Sequence, residues 1–197
     1  MVDIPDGVVA RAREGDAEAF RSLLEAFEKP VFQTVHRLVG GRYPTEVEDI
    51  TQDIFLKVFR SLTKFDEDRG VKFSTWIYTF VKNHCFDVLK KRRLPTLHLD
   101  PGGPEDDGGP RHDPDGAVAP PPREVLDGEL HDRIAAAVDR LPHDQRLVFV
   151  LRAYEGLDYR EIAEVADCTE GTVKSRLYRA KEALRKSLRR YVLQEEA

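Results

Sequence analysis

Between Thr169 and Arg190 the chain carries eight cations, Lys174, Arg176, Arg179, Lys181, Arg185, Lys186, Arg189 and Arg190, against the acids Glu170 and Glu182. Lysine and arginine at this density neutralise phosphates and, inside a groove, donate hydrogen bonds to guanine edges. A second set interleaves Phe73, Trp76, Tyr78 and Phe80 with Lys82, Asn83 and His84, then ends in Lys90, Lys91, Arg92 and Arg93. Unpaired bases stack on such rings at roughly 1–3 kcal/mol each, while the cations hold the backbone; the alternative, equally weighted on this stretch alone, is that all four rings pack in the core. A third set, Asp49, Gln52 and Asp53, gathers an acid, an amide and an acid on one helix face. That face suits a basic partner helix. The chain has no Gly-rich phosphate loop, nucleophile elbow or paired-carboxylate site. Its two cysteines, Cys85 and Cys168, have no metal-ligand or disulfide spacing. No catalytic residue, metal site or cofactor is assigned, and the chain reads as something other than an enzyme.

The elements that must position these sets follow from apolar spacing. Val173, Leu177, Ala180, Leu184 and Leu188 recur at steps of four, three, four and four, one face of an α-helix, with Thr169 as its N-cap. Before it, Asp158 to Ala166 reads as a short helix and Asp167-Cys168-Thr169 as a tight turn. Together they form a helix-turn-helix. A helical hairpin with a solvated basic face has the same period, but turn and charge coincide here, which favours DNA. The net charge of −5 argues the other way only as a sum, since Gly171 to Arg190 alone holds eight bases against one acid.

In the first half, Asp16 caps a helix whose apolar residues run through Phe20, Leu24 and Phe27, with Pro30 as an expected kink and Gly40-Gly41 as its stop. Thr45 to Glu48 spells a capping box for a helix to about Leu62, and Ser74 is the expected cap of the aromatic helix. Residues 95–123 hold eight of the twelve prolines and almost no apolar content, the composition of a flexible acidic linker. The reading is all-α, with two small helical domains, 1–94 and 124–197, joined by the linker 95–123. No stretch approaches a membrane span or a secretory signal, and a reducing cytoplasm fits the cysteine usage.

The segments VEDITQDIFLKVFRSL, FSTWIYTFVKNHCFDVLKKRR and LPHDQRLVFVLRAYEGLDYREIAEVADCTEGTVKSRLYRAKEALR resemble, in order and spacing, the extracytoplasmic-function group of bacterial RNA polymerase sigma factors. The resemblance covers nearly all of both domains. It implies sigma region 2 followed by a helix-turn-helix region 4, in a factor that binds core RNA polymerase, directs it to promoters and helps open the DNA. It places Asp49, Gln52 and Asp53 on the β′ clamp helices, with the β subunit as a further core contact. It assigns Phe73, Trp76, Asn83, Lys90, Lys91, Arg92 and Arg93 to the −10 element. Arg152, Lys174, Ser175, Arg176, Tyr178 and Arg179 fall to the −35 element. It also implies an anti-sigma partner. The rival reading is a regulator that binds only duplex DNA. It would put a sensor or dimerisation domain where the aromatic-basic helix stands.

Overall fold

The computed structural model describes Ile4 and residues 7–66, 70–91 and 128–192, the side chains of 128–131 and 190–192 excepted. The whole of 95–123, Arg92 and Arg93 lie outside the described residues. Among the described residues all regular structure is helical. The first module contains α1 (Val8–Arg13), α2 (Ala17–Val35), α3 (Val47–Ser61) and α4 (Phe73–Lys91). The second contains α5 (Gly128–Asp139), α6 (His143–Ala153), α7 (Tyr159–Ala166) and α8 (Glu170–Val192).

Local chemistry explains most boundaries. The Asp16 carboxylate accepts from the amides of Glu18 and Ala19 and starts α2. Pro30 does not end that helix, which continues to Val35 and passes into a π-helical turn, His36–Gly40. The expected capping box at Thr45 is not formed. Pro44 instead opens a 3₁₀ turn, Pro44–Glu46, that leads directly into α3. Ser74 lies one residue inside α4 rather than at its cap.

The first module closes over Leu23, Phe27 and Val31 of α2, Ile50, Ile54 and Val58 of α3, and Ile77, Val81 and Cys85 of α4, all at most 5% exposed. Burying each large aliphatic side chain is worth about 1.5–3 kcal/mol. Burial also pushes the Cys85 thiol up to about 12, so that sulfur is packing material and not a nucleophile. The second module packs Leu147, Val148 and Leu151 of α6 with Ile162 and Val165 of α7 and Val173, Leu177 and Ala180 of α8.

The two modules then pack on each other, which the linker composition gave no reason to expect. The Glu155 carboxylate, between α6 and α7, accepts from the Thr34 hydroxyl at 2.6 Å and from the Tyr78 hydroxyl at 2.5 Å. Thr34 and Tyr78 are 0% and 2% exposed. A buried hydroxyl deprived of its acceptor costs about 1–3 kcal/mol, so this carboxylate is tightly specified. The Arg37 guanidinium lies over the Tyr154 ring at 4.0 Å, and Lys72 meets Glu161 at 2.8 Å. Arg146, buried on α6, donates to the carbonyl of Leu38 at 2.9 Å, to that of Leu141 at 3.3 Å and to that of Asp139. It thereby satisfies a carbonyl that the π-helical turn leaves open.

Gly41 shows why that seam closes. Its φ of −63° is ordinary, so no glycine is needed for the backbone. A Cβ there would instead strike the Asp139 carboxylate, which lies 3.6 Å from Arg146. Gly41→Ala is expected to cost about 1 kcal/mol of unfolding free energy by displacing that carboxylate. In an Asp139→Ala background the same change should be nearly neutral, as measured by denaturant titration in a double-mutant cycle; equal costs in both backgrounds would contradict the assignment.

Candidate nucleic-acid interface and docking face

The helix-turn-helix is built by short-range hydrogen bonds. Asp158 accepts from the Glu161 amide at 2.8 Å, and the Glu161 carboxylate accepts from the Asp158 amide at 2.8 Å, a complete capping box for α7. Asp167 ends α7 in the left-handed region at φ 54°, which aspartate tolerates better than most residues. The Thr169 hydroxyl accepts from the Thr172 amide at 3.2 Å and starts α8, as the sequence implied. Val173, Leu177, Ala180 and Leu184 turn inward, so the opposite stripe of α8 faces solvent.

The six residues expected at the −35 element divide into two groups. Lys174, Tyr178 and Arg179 are exposed on α8. Arg152, Ser175 and Arg176 are half-buried and engaged. Arg152 donates to the Leu157 carbonyl at 2.9 Å, Ser175 to that of Thr172 at 3.0 Å, and Arg176 pairs with Asp144 at 2.9 Å. The Tyr159 ring lies between Arg152, 5.2 Å from its centroid, and Lys174, 5.6 Å from it. That ring sets the approach of both cations.

On α4 the structure corrects one expectation. Phe73 does not offer a face for stacking. It is 6% exposed and packs among Phe27, Phe65 and Trp76 at 5.7, 5.1 and 5.5 Å between centroids. The reason is angular. Phe73, Ile77 and Val81 share one helical stripe and fill the core, while Trp76 and Phe80, 4.8 Å apart, flank it half-buried. Tyr78 turns the other way, toward Glu155. Trp76, Asn83 and Lys90 recur at steps of seven, so one flank of α4 presents a half-buried ring, an exposed amide and an exposed ammonium in line. Lys91 is exposed beside them in the last turn. Arg92 and Arg93 follow outside the described residues.

Asp49, Gln52 and Asp53 are all exposed on α3, opposite Ile50, Ile54 and Val58. The same stripe continues into Leu56, 51% exposed, and Phe59, 55% exposed with its ring 4.8 Å from Phe20. These apolar members were missed by the sequence reading, although Leu56 lies three residues past Asp53 and seven past Asp49. The face is therefore mixed, acidic toward the N-terminal end of α3 and apolar toward its C-terminal end, a composition that suits a protein partner.

His84 connects this face to α4. Its Nδ1 lies 2.5 Å from the Lys57 ammonium, and its Nε2 lies 3.6 Å from an Asp53 oxygen. An ammonium only donates, so Nδ1 accepts and the ring proton sits on Nε2, toward the carboxylate. Burial lowers the affinity of His84 for a second proton and Lys57 lowers it further, with Lys91 adding to them and Asp53 and Asp87 opposing. Among the described residues no group of acids, histidines and cysteines could hold a metal ion, and no helix is long and apolar enough to cross a membrane.

Comparison with known proteins places both modules. Residues 23–94 match the family description Sigma-70 region 2, and residues 131–184 match Sigma-70, region 4. The ECF RNA polymerase sigma factor SigW of Bacillus subtilis (strain 168) is 32% identical over 184 residues, covering 92% of this chain and 95% of the relative. The ECF RNA polymerase sigma-E factor of Escherichia coli (strain K12) is 33% identical over 181 residues, covering 90% of each. Among solved structures, the sigma factor RpoE in complex with the anti-sigma factor NepR from Bartonella quintana shares the fold with a TM-score of 0.65 at 21% identity, covering 88% of this chain and 98% of that one.

A histidine whose folded affinity for a proton is depressed binds that proton more readily in the unfolded chain. Stability is therefore complete above the ordinary value of 6.5 and is lost as pH falls below it, until the folded value is passed. Melting temperature measured from about pH 7.5 to about 5.5 is expected to fall less in His84→Gln than in the natural chain. Parallel profiles would remove His84 from the account.

Proposed function

The chain belongs to the extracytoplasmic-function group of RNA polymerase sigma factors, which direct the enzyme to promoters, and we propose how its surfaces divide that work. The α3 stripe of Asp49, Gln52, Asp53, Leu56 and Phe59 docks on core polymerase at the β′ clamp helices. The α4 flank of Trp76, Asn83, Lys90 and Lys91, together with Arg92 and Arg93 that follow it in sequence, holds the separated strand of the −10 element. There a flipped base costs a few kcal/mol of stacking, which ring and amide contacts offset. Phe73 supports Trp76 from behind. Lys174, Tyr178 and Arg179 meet the −35 duplex in the major groove, and Arg176 joins them on exchanging Asp144 for DNA. Residues 1–94 form the first domain, 95–123 the linker and 124–197 the second domain.

The observation that carries this reading is the segregation of three chemistries on one all-helical chain. An acidic-apolar stripe lies on α3, an aromatic-amide-ammonium flank on α4, and a basic stripe on a helix-turn-helix. A regulator that binds only duplex DNA has use for the last alone. The factor contributes no catalytic group, cofactor or metal, since phosphodiester chemistry belongs to the polymerase. It acts in the cytoplasm, where polymerase is. An anti-sigma protein is a further partner, by analogy with the RpoE complex.

Asp53→Lys is expected to weaken core binding by about tenfold or more, with at most a small fall in melting temperature, because the position is exposed and loses only the 3.6 Å contact with His84. Leu56→Ala should weaken it as well, as an apolar anchor does. Fluorescence titration of labelled factor with core polymerase measures both; unchanged affinity in both would refute the docking face. Lys174→Ala and Arg179→Ala should each weaken −35 binding. Where the contact is to a base edge the loss is about 1–3 kcal/mol on the preferred sequence only. Where it is to phosphate, all sequences weaken alike and the salt slope falls by about one.

A further inference from the structure

We infer, on the strength of the −35 assignment above, that Glu170 is a specificity-determining residue of the helix-turn-helix, and that its carboxylate accepts a hydrogen bond from the N4 amine of a cytosine in the −35 duplex.

Glu170 is the first residue of α8 and is exposed. In a helix-turn-helix the N-terminal residues of the second helix are the ones that reach base edges in the major groove. Glu170, Lys174 and Tyr178 follow one another at steps of four, so they share one stripe of α8, and all three are exposed. The stripe thus carries an acceptor, a donor and a ring, each about one helical turn from the next. A glutamate four residues before a lysine ordinarily pairs with it. Here that pair is not made. The Lys174 ammonium lies instead over the Tyr159 ring, 5.6 Å from its centroid. Among the described residues the Glu170 carboxylate forms no ion pair or hydrogen bond. It keeps its full acceptor capacity for an outside partner.

The next residue favours close approach. Gly171 is exposed, and a Cβ there would meet only the Thr169 hydroxyl, at 3.7 Å. No packing inside the protein requires a glycine at this point, whereas the backbone it leaves bare can come near a base edge.

The identity of the base follows from charge and hydrogen bonding. An acid beside a phosphate backbone weakens binding to every sequence alike. It suits a DNA-reading position where it meets a donor, and the major groove offers two, the N4 amine of cytosine and the N6 amine of adenine. Adenine carries its amine next to the N7 acceptor, which repels a carboxylate. Cytosine presents its amine with no acceptor of its own on that edge. Guanine and thymine turn acceptors toward the groove and are rejected. One glutamate therefore selects cytosine and acts against the other three bases.

A first-turn acid also complements the helix dipole, but that role is blind to DNA sequence. Holoenzyme formed with the natural full chain, with Glu170→Ala or with Glu170→Gln is allowed to select from promoter-length duplexes randomised at the −10 and −35 elements, and the bound fraction is sequenced. The natural chain is expected to enrich a G·C pair, in one orientation, at one position of the upstream element by about tenfold. Glu170→Ala should lose that preference and keep the others, while binding a duplex of scrambled sequence at least as tightly as the natural chain. Glu170→Gln should shift the same position toward an A·T pair, because adenine N6 and N7 match an amide. Identical preferences in the three proteins, or a loss in Glu170→Ala that is equal on every sequence, would leave the acid with the dipole role alone and overturn the inference. A natural preference for an A·T pair at the affected position would overturn it too. If the natural chain selects at −10 and at no upstream position, the −35 assignment itself falls, so the two failures are distinguished.

Discussion

A helix has one circumference, and whatever stripe it spends on the core it cannot offer to a partner. Every functional surface of this chain is what the core leaves over. On α3, Ile50, Ile54 and Val58 face inward and place Asp49, Asp53 and Leu56 outward. On α8, Val173, Leu177, Ala180 and Leu184 do the same for Lys174, Tyr178 and Arg179. On α4 the partition is threefold. One stripe fills the core of the first module, a second meets the other module through Tyr78, and the third, with Trp76, Asn83 and Lys90, remains for a ligand. A residue's role is thus decided more by its angle around the axis than by its type. Phe73 and Trp76, three residues apart and both aromatic, come out on opposite sides of that decision.

His84 and Glu155 tie these leftover faces together. His84 joins α3 to α4 through Lys57 and Asp53, so the face proposed for docking and the helix proposed for the −10 strand share a polar contact. Glu155 joins α4 to the helix-turn-helix through Tyr78. The hydroxyls that meet Glu155 are buried, where an unsatisfied partner is costly, whereas Lys57 and Asp53 are exposed and water can replace His84. The two modules are therefore joined by specific polar contacts.

Much of this was legible before any coordinates. The steps of four and three in Val173 to Leu188, the cap at Thr169 and the acid-amide-acid spacing of Asp49 to Asp53 are local patterns, and local patterns are what sequence records. The errors were local too. Thr45 spells a capping box, yet Pro44 favours a 3₁₀ turn and the box does not form. Pro30 reads as an interruption or a kink, and α2 runs through it without interruption. Gly40-Gly41 reads as a helix stop and the helical run does end at Gly40; what the sequence does not show is the room that Gly41, with its ordinary φ, leaves for Asp139. What could not be read was the seam between modules. Thr34 and Glu155 lie 121 residues apart, and nothing in the type or spacing of either announces the other. Leu56 and Phe59 escaped for a different reason: the exposed stripe was read for its polar residues alone, although the spacing of Leu56 from Asp49 and Asp53 puts it there too.

The central claim, that three leftover stripes serve three different partners, is tested most directly by site-specific crosslinking in one promoter complex. A photoreactive phenylalanine is placed in turn at Leu56, Asn83 and Arg179, and the complex with core polymerase and promoter DNA is irradiated. The account predicts a crosslink from position 56 to the β′ subunit, from position 83 to the unpaired strand at −10, and from position 179 to the duplex at −35. A crosslink from position 56 to DNA, or from positions 83 and 179 to polymerase alone, would contradict it.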